Sequence, residues 1–490
     1  MSKTNPIASP DLWNGKIYNG EWRTAAAGTM EVTEKATGEP LAEIGMASPD
    51  DVVEMALQAK QAQREWAAMS GPQRGDILRR FSELVLIHAD EIIEWIVRET
   101  GSIYPKSEWE VHMTAREVLE AAAMPSAAQG VLLATDDPQR QSFARRIPIG
   151  VVGVITPWNS PFLLAARAFG PALAMGNAVL LKPDPQTPVC GGVLPILLLE
   201  EAGLPKGLIH LLPGGVDTGE ALVSDPNVNM ISFTGSTRAG RKVGEIAGGL
   251  LKRVSLELGG NNPYIVLEDA DLEKATSAGA FGSFNHQGQI CLTIGRHIVH
   301  ESIAEDYTKL LAERVAPLPV GDPFREQVAL GPIINAKQAD NVQRILDESV
   351  AMGARIMVGG KRDGLYFYPT VLADVTTDMP VFKEEIFGPV APVLTFKTDD
   401  EAVELANNTN YGLSAAVQSA NQSRALGIAN RLHSGIIHIN DQTVIHEVYG
   451  PIGGVGMSGN GYNYGSVCNA DQFTEWQWLT TRSETPPYPF

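Results

Sequence analysis

Residues 150–184 read GVVGVITPWNSPFLLAARAFGPALAMGNAVLLKPD. The run 150–155 is continuously apolar, which predicts a strand that is buried on both faces of a sheet. Residues 162–175 form a helical pattern, and 178–181 is a second apolar strand. A strand, a helix and a strand in this order predict a parallel unit with the helix packed on the sheet.

The same alternation continues after this unit. Helical patterns at 189–201 and 238–246 separate apolar strands at 208–212, 229–233 and 253–258. This spacing predicts a doubly wound α/β fold with a parallel sheet. Ligands of such sheets bind beyond the carboxyl ends of the strands, so the residues that follow each strand are candidates for a site.

Regions on both sides extend the pattern. Residues 48–51 (SPDD) are typical of a helix start, and a second helical stretch covers 74–89. A strand at 264–267 and helices at 270–284 and 302–312 indicate a second α/β unit.

Composition and charge limit the function classes. The chain has 490 residues, 44% hydrophobic and 19% charged, as in ordinary globular proteins. The formal net charge of −19 argues against a nucleic acid or an anionic membrane as partner. The apolar stretches are too short to cross a bilayer, which takes ~20 residues.

The three cysteines, Cys190, Cys291 and Cys468, are sparse and widely spaced. They indicate neither a disulfide framework nor a Cys-x-x-Cys site, and no metal is expected. Residues 1–12 lack the apolar stretch of a signal peptide. A cytoplasmic protein is therefore predicted.

Two polar residues follow the first two strands. Asn159 could donate its amide to a developing oxyanion, or it could cap the helix that begins near Pro161. Lys182 could bind ribose hydroxyls or a phosphate, or it could be an ordinary exposed lysine.

Two later strands also end in candidate residues. Residues 233–240 read FTGSTRAG, where glycine and a helix N-terminus suit a pyrophosphate, although a tight turn would also need the glycine. Glu257 precedes paired glycines and could be a general base, or a solvated or salt-bridged carboxylate.

Cys291 is the candidate nucleophile. It follows the helix at 270–284, and Gly288 is expected to break that helix so that the thiol projects into a cleft. A free cysteine is more often a small buried hydrophobe, which is the expectation for Cys190 and Cys468.

Taken together, these residues resemble the NAD(P)-dependent aldehyde dehydrogenase superfamily, and the resemblance covers nearly the whole chain. Its motifs are Pro-Trp-Asn at 157–159, Glu-Leu-Gly-Gly at 257–260, Gly-Gln-x-Cys at 288–291 and Glu-Ile-Phe-Gly-Pro at 385–389. The stretches 177–184 (NAVLLKPD) and 438–442 (HINDQ) are most similar to bacterial benzaldehyde and vanillin dehydrogenases.

The resemblance implies a reaction that oxidises an aldehyde to its carboxylic acid. Cys291 would attack the aldehyde as a thiolate, and Asn159 with the Cys291 backbone N–H would hold the oxyanion. Glu257 would activate the water that hydrolyses the resulting thioester.

The resemblance also implies a dinucleotide site, with Lys182 at the adenosine ribose and Glu385 at the nicotinamide ribose. The implied cofactor residues are Ile155, Thr156, Trp158, Lys182, Gly215, Phe233, Gly235, Ser236, Gly240, Leu258, Glu385 and Phe387. Many NAD-using relatives have a glutamate where this chain has Pro185. Because residues 184–189 contain no Arg or Lys, NAD is expected and NADP is possible.

The aldehyde channel is expected to run past Trp158, Asn159 and Arg167, with Tyr449 and Ile452 as further candidates for its wall. Arg167 could contact an aromatic ring or a ring oxygen, or it could be a salt-bridged helix arginine. An aromatic aldehyde, benzaldehyde- or vanillin-like, is the expected substrate. The alternatives are an aliphatic or semialdehyde dehydrogenase and a catalytically silent binding or structural relative.

The implied fold is α/β, in three parts. These are a Rossmann-type NAD-binding domain (1–127 and 148–258), an α/β catalytic domain (259–440), and a small β oligomerisation arm with the C-terminal segment (128–147 and 441–490). Pairing of the arm's edge strands with a neighbour predicts a homodimer or homotetramer.

Overall fold

The computed structural model describes residues 7–490, apart from the side chain of Ser466. Residues 1–6, on which part of the signal-peptide expectation rests, lie outside this description. The strands, in chain order, are β1 (Lys16–Tyr18), β2 (Trp22–Thr24), β3 (Thr29–Thr33), β4 (Pro40–Gly45), β5 (Gly130–Leu133), β6 (Gln141–Pro148), β7 (Val151–Ile155), β8 (Ala178–Lys182), β9 (Ile209–Leu211), β10 (Met230–Thr234), β11 (Arg253–Glu257), β12 (Asn262–Val266), β13 (Ile294–His300), β14 (Arg355–Val358), β15 (Arg362–Asp363), β16 (Tyr366–Phe367), β17 (Thr370–Ala373), β18 (Val390–Phe396), β19 (Ser414–Gln418), β20 (Ile436–Ile439) and β21 (Thr474–Thr481). The α-helices are α1 (Pro10–Trp13), α2 (Pro49–Ala68), α3 (Gly71–Ile87), α4 (Ala89–Thr100), α5 (Tyr104–Ala123), α6 (Pro161–Ala174), α7 (Leu194–Glu201), α8 (Val216–Ser224), α9 (Thr237–Gly249), α10 (Leu272–Phe284), α11 (Ala304–Val315), α12 (Ala336–Ala351), α13 (Pro380–Lys383), α14 (Asp399–Asn407), α15 (Gln422–Ala429) and α16 (Ser466–Gln472).

The first sheet has seven strands in the order β11-β10-β7-β8-β9-β1-β2. Strands β7 to β11 are parallel, and β1 is antiparallel to both β9 and β2. The carboxyl ends of the parallel strands meet at one edge, where Thr234 is paired with Glu257 and Phe233 with Ile155. This edge carries the residues of the candidate site.

The second sheet also has seven strands, in the order β14-β17-β18-β13-β12-β19-β20. All of its neighbouring strands are parallel except β14, which runs antiparallel to β17. Two apolar clusters, which include Ile265, Ile298 and Leu394 in one and Tyr264, Val299 and Val393 in the other, pack around this sheet.

A third, antiparallel sheet has the order β21-β6-β5. Strand β6 pairs with β21 from Gln141 and Thr481 to Pro148 and Thr474, so the C-terminal strand covers one edge of the hairpin at 130–148. Two shorter sheets pair β3 with β4 and β15 with β16.

The predicted fold class is confirmed, because two parallel α/β sheets and a small β sheet are present. The predicted strands at 150–155, 178–181 and 253–258 correspond to β7, β8 and β11 within one residue at each end. The domain boundaries derived from the resemblance stay a prediction.

Two helix predictions differ from the structure at their ends. The stretch at 74–89 is α3, which starts three residues earlier and is followed at once by α4. The helix at 189–201 begins as a π-helical turn (Val189–Val193), whose first two N–H groups donate to the buried Glu99 carboxyl at 2.8 and 2.7 Å. Local capping of this kind depends on a side chain that is distant in the sequence.

Within residues 7–490, no helix has the length and apolarity needed to cross a membrane. The same residues contain no group of three or more His, Cys, Asp and Glu side chains that could hold a metal ion.

Helix α6 is anchored by an aromatic pair, since the Phe169 and Phe81 rings are both fully buried and meet edge-to-face with centroids 5.6 Å apart. We expect Phe81→Ala to lower the free energy of unfolding by about 3–5 kcal/mol, because it leaves a cavity beneath α6. The matched control is Leu86→Ala, a half-exposed position on α3, the helix that also carries Phe81, and it should change the free energy of unfolding by less than ~0.5 kcal/mol. Urea denaturation measures both, and equal losses would contradict this account.

Candidate active site

Three neighbouring cavities lie along the carboxyl edge of the first sheet. The first has a volume of about 500 Å³, and Asn159, Glu257 and Cys291 all line it. The same three residues line a second cavity of about 300 Å³, which also includes Glu385 and Phe387. The third, of about 450 Å³, extends from Trp158 to Lys182. The candidate catalytic residues therefore lie at the junction of the first two cavities.

Cys291 is positioned by a strained turn. Helix α10 ends at Phe284, and His286, Gln287 and Gly288 then adopt left-handed φ angles of 51°, 57° and 69°. Such a conformation is unfavourable for residues with a Cβ. The Gln287 side chain stabilises it by donating to the carbonyls of Gly101 and Pro332, both at 3.0 Å. The expectation that Gly288 breaks the helix is wrong, because α10 has already ended at Phe284 and the turn begins at His286, but the thiol faces the cavities as expected.

Burial dominates the chemistry of this thiol. It raises the pKa of Cys291 to about 12, and the charges of Glu257 and Glu385 act in the same direction. Arg167 and the Cys291 backbone N–H oppose the increase. The thiol is therefore protonated at neutral pH, and a base is needed to form the thiolate.

Glu257 is buried at the end of β11, with 4% of its surface exposed. Burial raises its pKa to about 8, against the opposing charge of Arg167. Its Oε1 atom has no hydrogen-bond partner among residues 7–490. The alternative of a solvated or salt-bridged carboxylate is wrong, and a carboxyl with this pKa can exchange a proton near neutrality.

Asn159 bonds to the loop before Cys291 and does not cap the helix. Its Nδ2 donates to the Gln289 carbonyl at 2.9 Å, and the capping position of α6 belongs to Ser160. An amide NH2 group has two hydrogens, so one remains for a molecule in the cavity. The helix-cap alternative is wrong.

Sequence reasoning missed a buried ion pair on α5. Lys106 and Glu110 contact each other, and the Lys106 ammonium also donates to the Asn159 carbonyl at 2.9 Å. The Glu110 carboxylate accepts the backbone N–H groups of Phe162 and Leu163 at 3.0 and 3.3 Å. The pair thus fixes both Asn159 and the start of α6. Its spacing of four residues was visible, but it usually indicates an exposed pair.

Arg167 is also buried in the wall of the first cavity, with 5% of its surface exposed. Its guanidinium lies 4.6 Å from the centroid of the Tyr464 ring. Among residues 7–490 no carboxylate lies within ion-pair distance of it, so the salt-bridged alternative is wrong. Ile452 lines the same cavity, whereas Tyr449 is half exposed, contacts Arg116 and lies outside the lining.

Most of the predicted cofactor residues line the second or third cavity. Those in the third are Ile155, Thr156, Trp158, Lys182, Gly215, Phe233, Gly235 and Ser236, and Leu258, Glu385 and Phe387 line the second. Gly240 lines neither, because it packs against the Leu258 side chain, which a Cβ would overlap. Lys182 is buried, so the exposed-lysine alternative is wrong, and its burial lowers its pKa.

Local geometry in the third cavity fits a dinucleotide. A Cβ on Gly235 would lie 2.7 Å from the Phe233 ring, so only glycine leaves this approach open. The Ser236 hydroxyl accepts from Ala239 N–H at 3.3 Å and begins α9, whose N-terminus suits a pyrophosphate. Thr156 has a buried hydroxyl without a partner among the described residues.

In the second cavity, two features define the wall. The Trp158 and Phe387 rings pack edge-to-face with centroids 5.4 Å apart. The Glu385 carboxyl accepts the Gly260 N–H at 2.9 Å, and burial raises its pKa to about 7.

Comparison with known proteins gives consistent matches over the whole chain. The aldehyde dehydrogenase family model matches residues 22–479. The chain is 51% identical to a vanillin dehydrogenase of Amycolatopsis sp., over 98% of this chain and 99% of that protein. It is 45% identical to the benzaldehyde dehydrogenase [NAD(+)] of Pseudomonas putida, over 98% of each chain.

A solved structure agrees with these matches. The betaine aldehyde dehydrogenase of Staphylococcus aureus in complex with NAD+ superposes with a TM-score of 0.94 at 30% identity, and 99% of each chain is covered. Fold, site and sequence lead to one conclusion: this chain belongs to the aldehyde dehydrogenase family.

Proposed function

We propose that the chain oxidises an aromatic aldehyde to its carboxylic acid, with NAD as the hydride acceptor. The observation that carries this proposal is the position of Cys291, Glu257 and Asn159 at the junction of two cavities. The first cavity takes the aldehyde, and its walls include Trp109, Phe281 and other apolar side chains that suit an aromatic ring. The vanillin and benzaldehyde dehydrogenases among the relatives support this substrate class.

The dinucleotide would be held in the second and third cavities. Lys182 would contact the adenosine ribose, Gly235 and Ser236 the pyrophosphate, and Glu385 the nicotinamide ribose. Asp184 and Glu220 line the adenosine end together with Lys182 and Lys242, so the charges there balance, and the benzaldehyde dehydrogenase [NAD(+)] among the relatives supports NAD. When bound, NAD supplies the acceptor for the hydride that leaves the substrate carbon.

The protein groups have separate tasks in the reaction. Glu257 takes the proton of the Cys291 thiol, and the thiolate attacks the carbonyl carbon of the aldehyde. The free N–H of the Asn159 amide and the Cys291 backbone N–H donate to the oxyanion, and one such donor is worth about 2.7–4 kcal/mol. After the hydride has left and the thioester has formed, Glu257 releases the first proton to solvent and then takes a proton from the water that attacks the thioester carbon. The C–S bond breaks, the acid is released, and the Cys291 sulfur takes a proton back from Glu257, which restores the thiol. Because a catalytic thiol must stay reduced, this chemistry supports a cytoplasmic location.

Removing the nucleophile tests the first step. We expect Cys291→Ala to lower kcat by at least about 10³-fold with benzaldehyde, because no thioester can form. The control is Cys468→Ser, which changes a free cysteine outside the cavities and should stay within about twofold of the unmodified protein. NADH formation measures both, and normal turnover by Cys291→Ala would exclude the mechanism.

Replacing Glu257 tests its role as the base of both proton transfers. In Glu257→Gln we expect kcat to fall by about 10²–10⁴-fold without a rapid burst of NADH, because the thiolate that forms the thioester and the water that hydrolyses it both depend on this base. Rapid-mixing absorbance measures the first turnover and the steady rate separately, and a rapid burst of about one NADH per active site would show that another group takes the thiol proton.

The pH profile gives an independent check. Burial favours the protonated Glu257, so its base form is the major one only above a pH of about 8. The steady rate of the unmodified protein should therefore rise with pH and level off above that value, whereas the rate of Glu257→Gln should not show this rise. A rise that persists in Glu257→Gln would assign it to another group.

We also propose that the chain forms a homodimer or homotetramer through the sheet β21-β6-β5. All four residues of β5 are exposed, with Leu132 at 74%, and Trp478 on β21 is exposed at 71%. The free edge of β5 and this apolar surface would both be covered by a second copy of the chain.

A charge on that surface tests the assembly. We expect Leu132→Lys to shift the protein to a smaller species in light scattering after gel filtration, since it weakens association by about tenfold or more. Leu251→Lys is the control, because Leu251 is also a leucine with most of its surface exposed but lies between α9 and β11. A monomeric unmodified protein, or equal behaviour of the two variants, would contradict the proposal.

A further inference from the structure

The first cavity contains a buried polar pair that the catalytic mechanism does not use. His446 lines this cavity, and its Nε2 lies 2.8 Å from Oε1 of Glu117 on α5. Both side chains are almost completely buried, at 6% and 4% exposure. A buried hydrogen-bonded polar pair that lines a ligand cavity calls for a functional explanation, because burying polar groups is unfavourable unless they are satisfied.

The contact with Glu117 determines what His446 can offer to a ligand. A carboxylate only accepts hydrogen bonds, so Nε2 carries the hydrogen and a neutral ring keeps a lone pair on Nδ1. Among residues 7–490, the Glu117 contact is the hydrogen bond that the ring makes, and Nδ1 has no protein partner. This nitrogen is therefore an acceptor for a donor in the cavity.

The pair lies away from the thiol. Glu117 follows Glu110 by seven residues on α5, which corresponds to two turns and about 10 Å along the helix axis. Glu110 is paired with Lys106 beside Asn159, so this is the catalytic end of the cavity. Glu117 is also absent from the charges that act on the pKa of Cys291. An aldehyde bound at Cys291 would place the remote side of its ring towards His446.

The surroundings of His446 are otherwise mainly apolar. The Trp109 ring packs edge-on against the His446 ring with centroids 5.9 Å apart. Phe281, Val444 and Ile445 also line this cavity. Gln442 also lines the cavity, but its Oε1 accepts the Val444 N–H. In such a setting one acceptor is enough to distinguish a ring with a hydroxyl group from a ring without one.

We propose that His446 Nδ1 accepts a hydrogen bond from a hydroxyl group on the aromatic ring of the substrate, and that Glu117 is the positioning residue for the histidine. The preferred substrates are then benzaldehydes with a hydroxyl group at ring position 3 or 4. This proposal rests on the proposed oxidation of aromatic aldehydes, and it adds the recognition of the ring substituent.

The experiment compares hydroxyl and fluoro groups at the same ring position. It measures kcat/KM for 3- and 4-hydroxybenzaldehyde and for 3- and 4-fluorobenzaldehyde, with the unmodified protein and with His446→Phe, at a pH where the phenols keep their protons. Dividing the hydroxyl-to-fluoro ratio of one protein by that of the other cancels the intrinsic reactivity of each aldehyde. Benzaldehyde is the control for an intact catalytic site.

For at least one ring position, we expect His446→Phe to lower the hydroxyl-to-fluoro ratio by about 5–10-fold, the effect of one hydrogen bond. The loss should be in KM, with kcat within about twofold, because the bond is present before and during the reaction. Any change in benzaldehyde oxidation should equal the change for the fluorobenzaldehydes, because neither kind of substrate donates the hydrogen bond. The single variant leaves the buried Glu117 carboxylate without a partner, which could disturb folding. The double variant Glu117→Gln/His446→Phe removes this carboxylate together with the imidazole ring, and it should give the same hydroxyl-to-fluoro ratio as His446→Phe.

The outcomes separate this proposal from the one on which it rests. Suppose that His446→Phe and the double variant still oxidise benzaldehyde and that the hydroxyl-to-fluoro ratio is unchanged at both ring positions. The His446 proposal is then overturned, and the aromatic aldehyde function stands. If the unmodified protein oxidises none of the benzaldehydes while it oxidises an aliphatic aldehyde, the proposed substrate class is overturned and the His446 proposal with it.

Discussion

The weakly polar surroundings of the Cys291 thiol and the Glu257 carboxyl are the constraint on which the rest of the site depends. Burial raises the pKa of the thiol to about 12 and that of the carboxyl to about 8. Both groups are therefore mainly neutral at neutral pH, and a negative charge on either of them arises only when a proton moves. Arg167 opposes both increases, so the buried cation favours the charged forms that the reaction needs.

The fold satisfies this constraint by combining a rigid sheet edge with a strained turn. Glu257 ends a buried strand and Asn159 follows another, so both are fixed by the first sheet. Cys291 comes from the second α/β unit, after three successive residues with left-handed φ angles. Such conformations are unfavourable by about 1–3 kcal/mol for each residue other than glycine. Side-chain bonds from Gln287 and Asn159 hold the segment in place.

The sequence predicted the sheet better than it predicted the walls of the cavities. Continuous apolar runs gave β7, β8 and β11 within a residue, because strands buried on both faces have little freedom to shift. The motifs identified Cys291, Glu257 and Asn159, since each lies at an element end where local pattern determines position. Tyr449 was expected in the pocket wall and lies outside it, because loop side chains are oriented by distant contacts such as that with Arg116.

The polar face of α5 shows why contacts between distant segments are not predicted from the sequence, and which side chains of the site these contacts hold in place. Lys106, Glu110 and Glu117 follow one another at helical spacing, a pattern normally read as a solvated surface, yet all three are buried. Their burial depends on α6 and on the loop that carries His446, which are distant in sequence. One end of this face supports Asn159 beside the reacting carbonyl, and the other end supports His446 two turns away. Because separate pairs serve the two ends, the ring-binding wall can change without displacing the groups that carry out the oxidation.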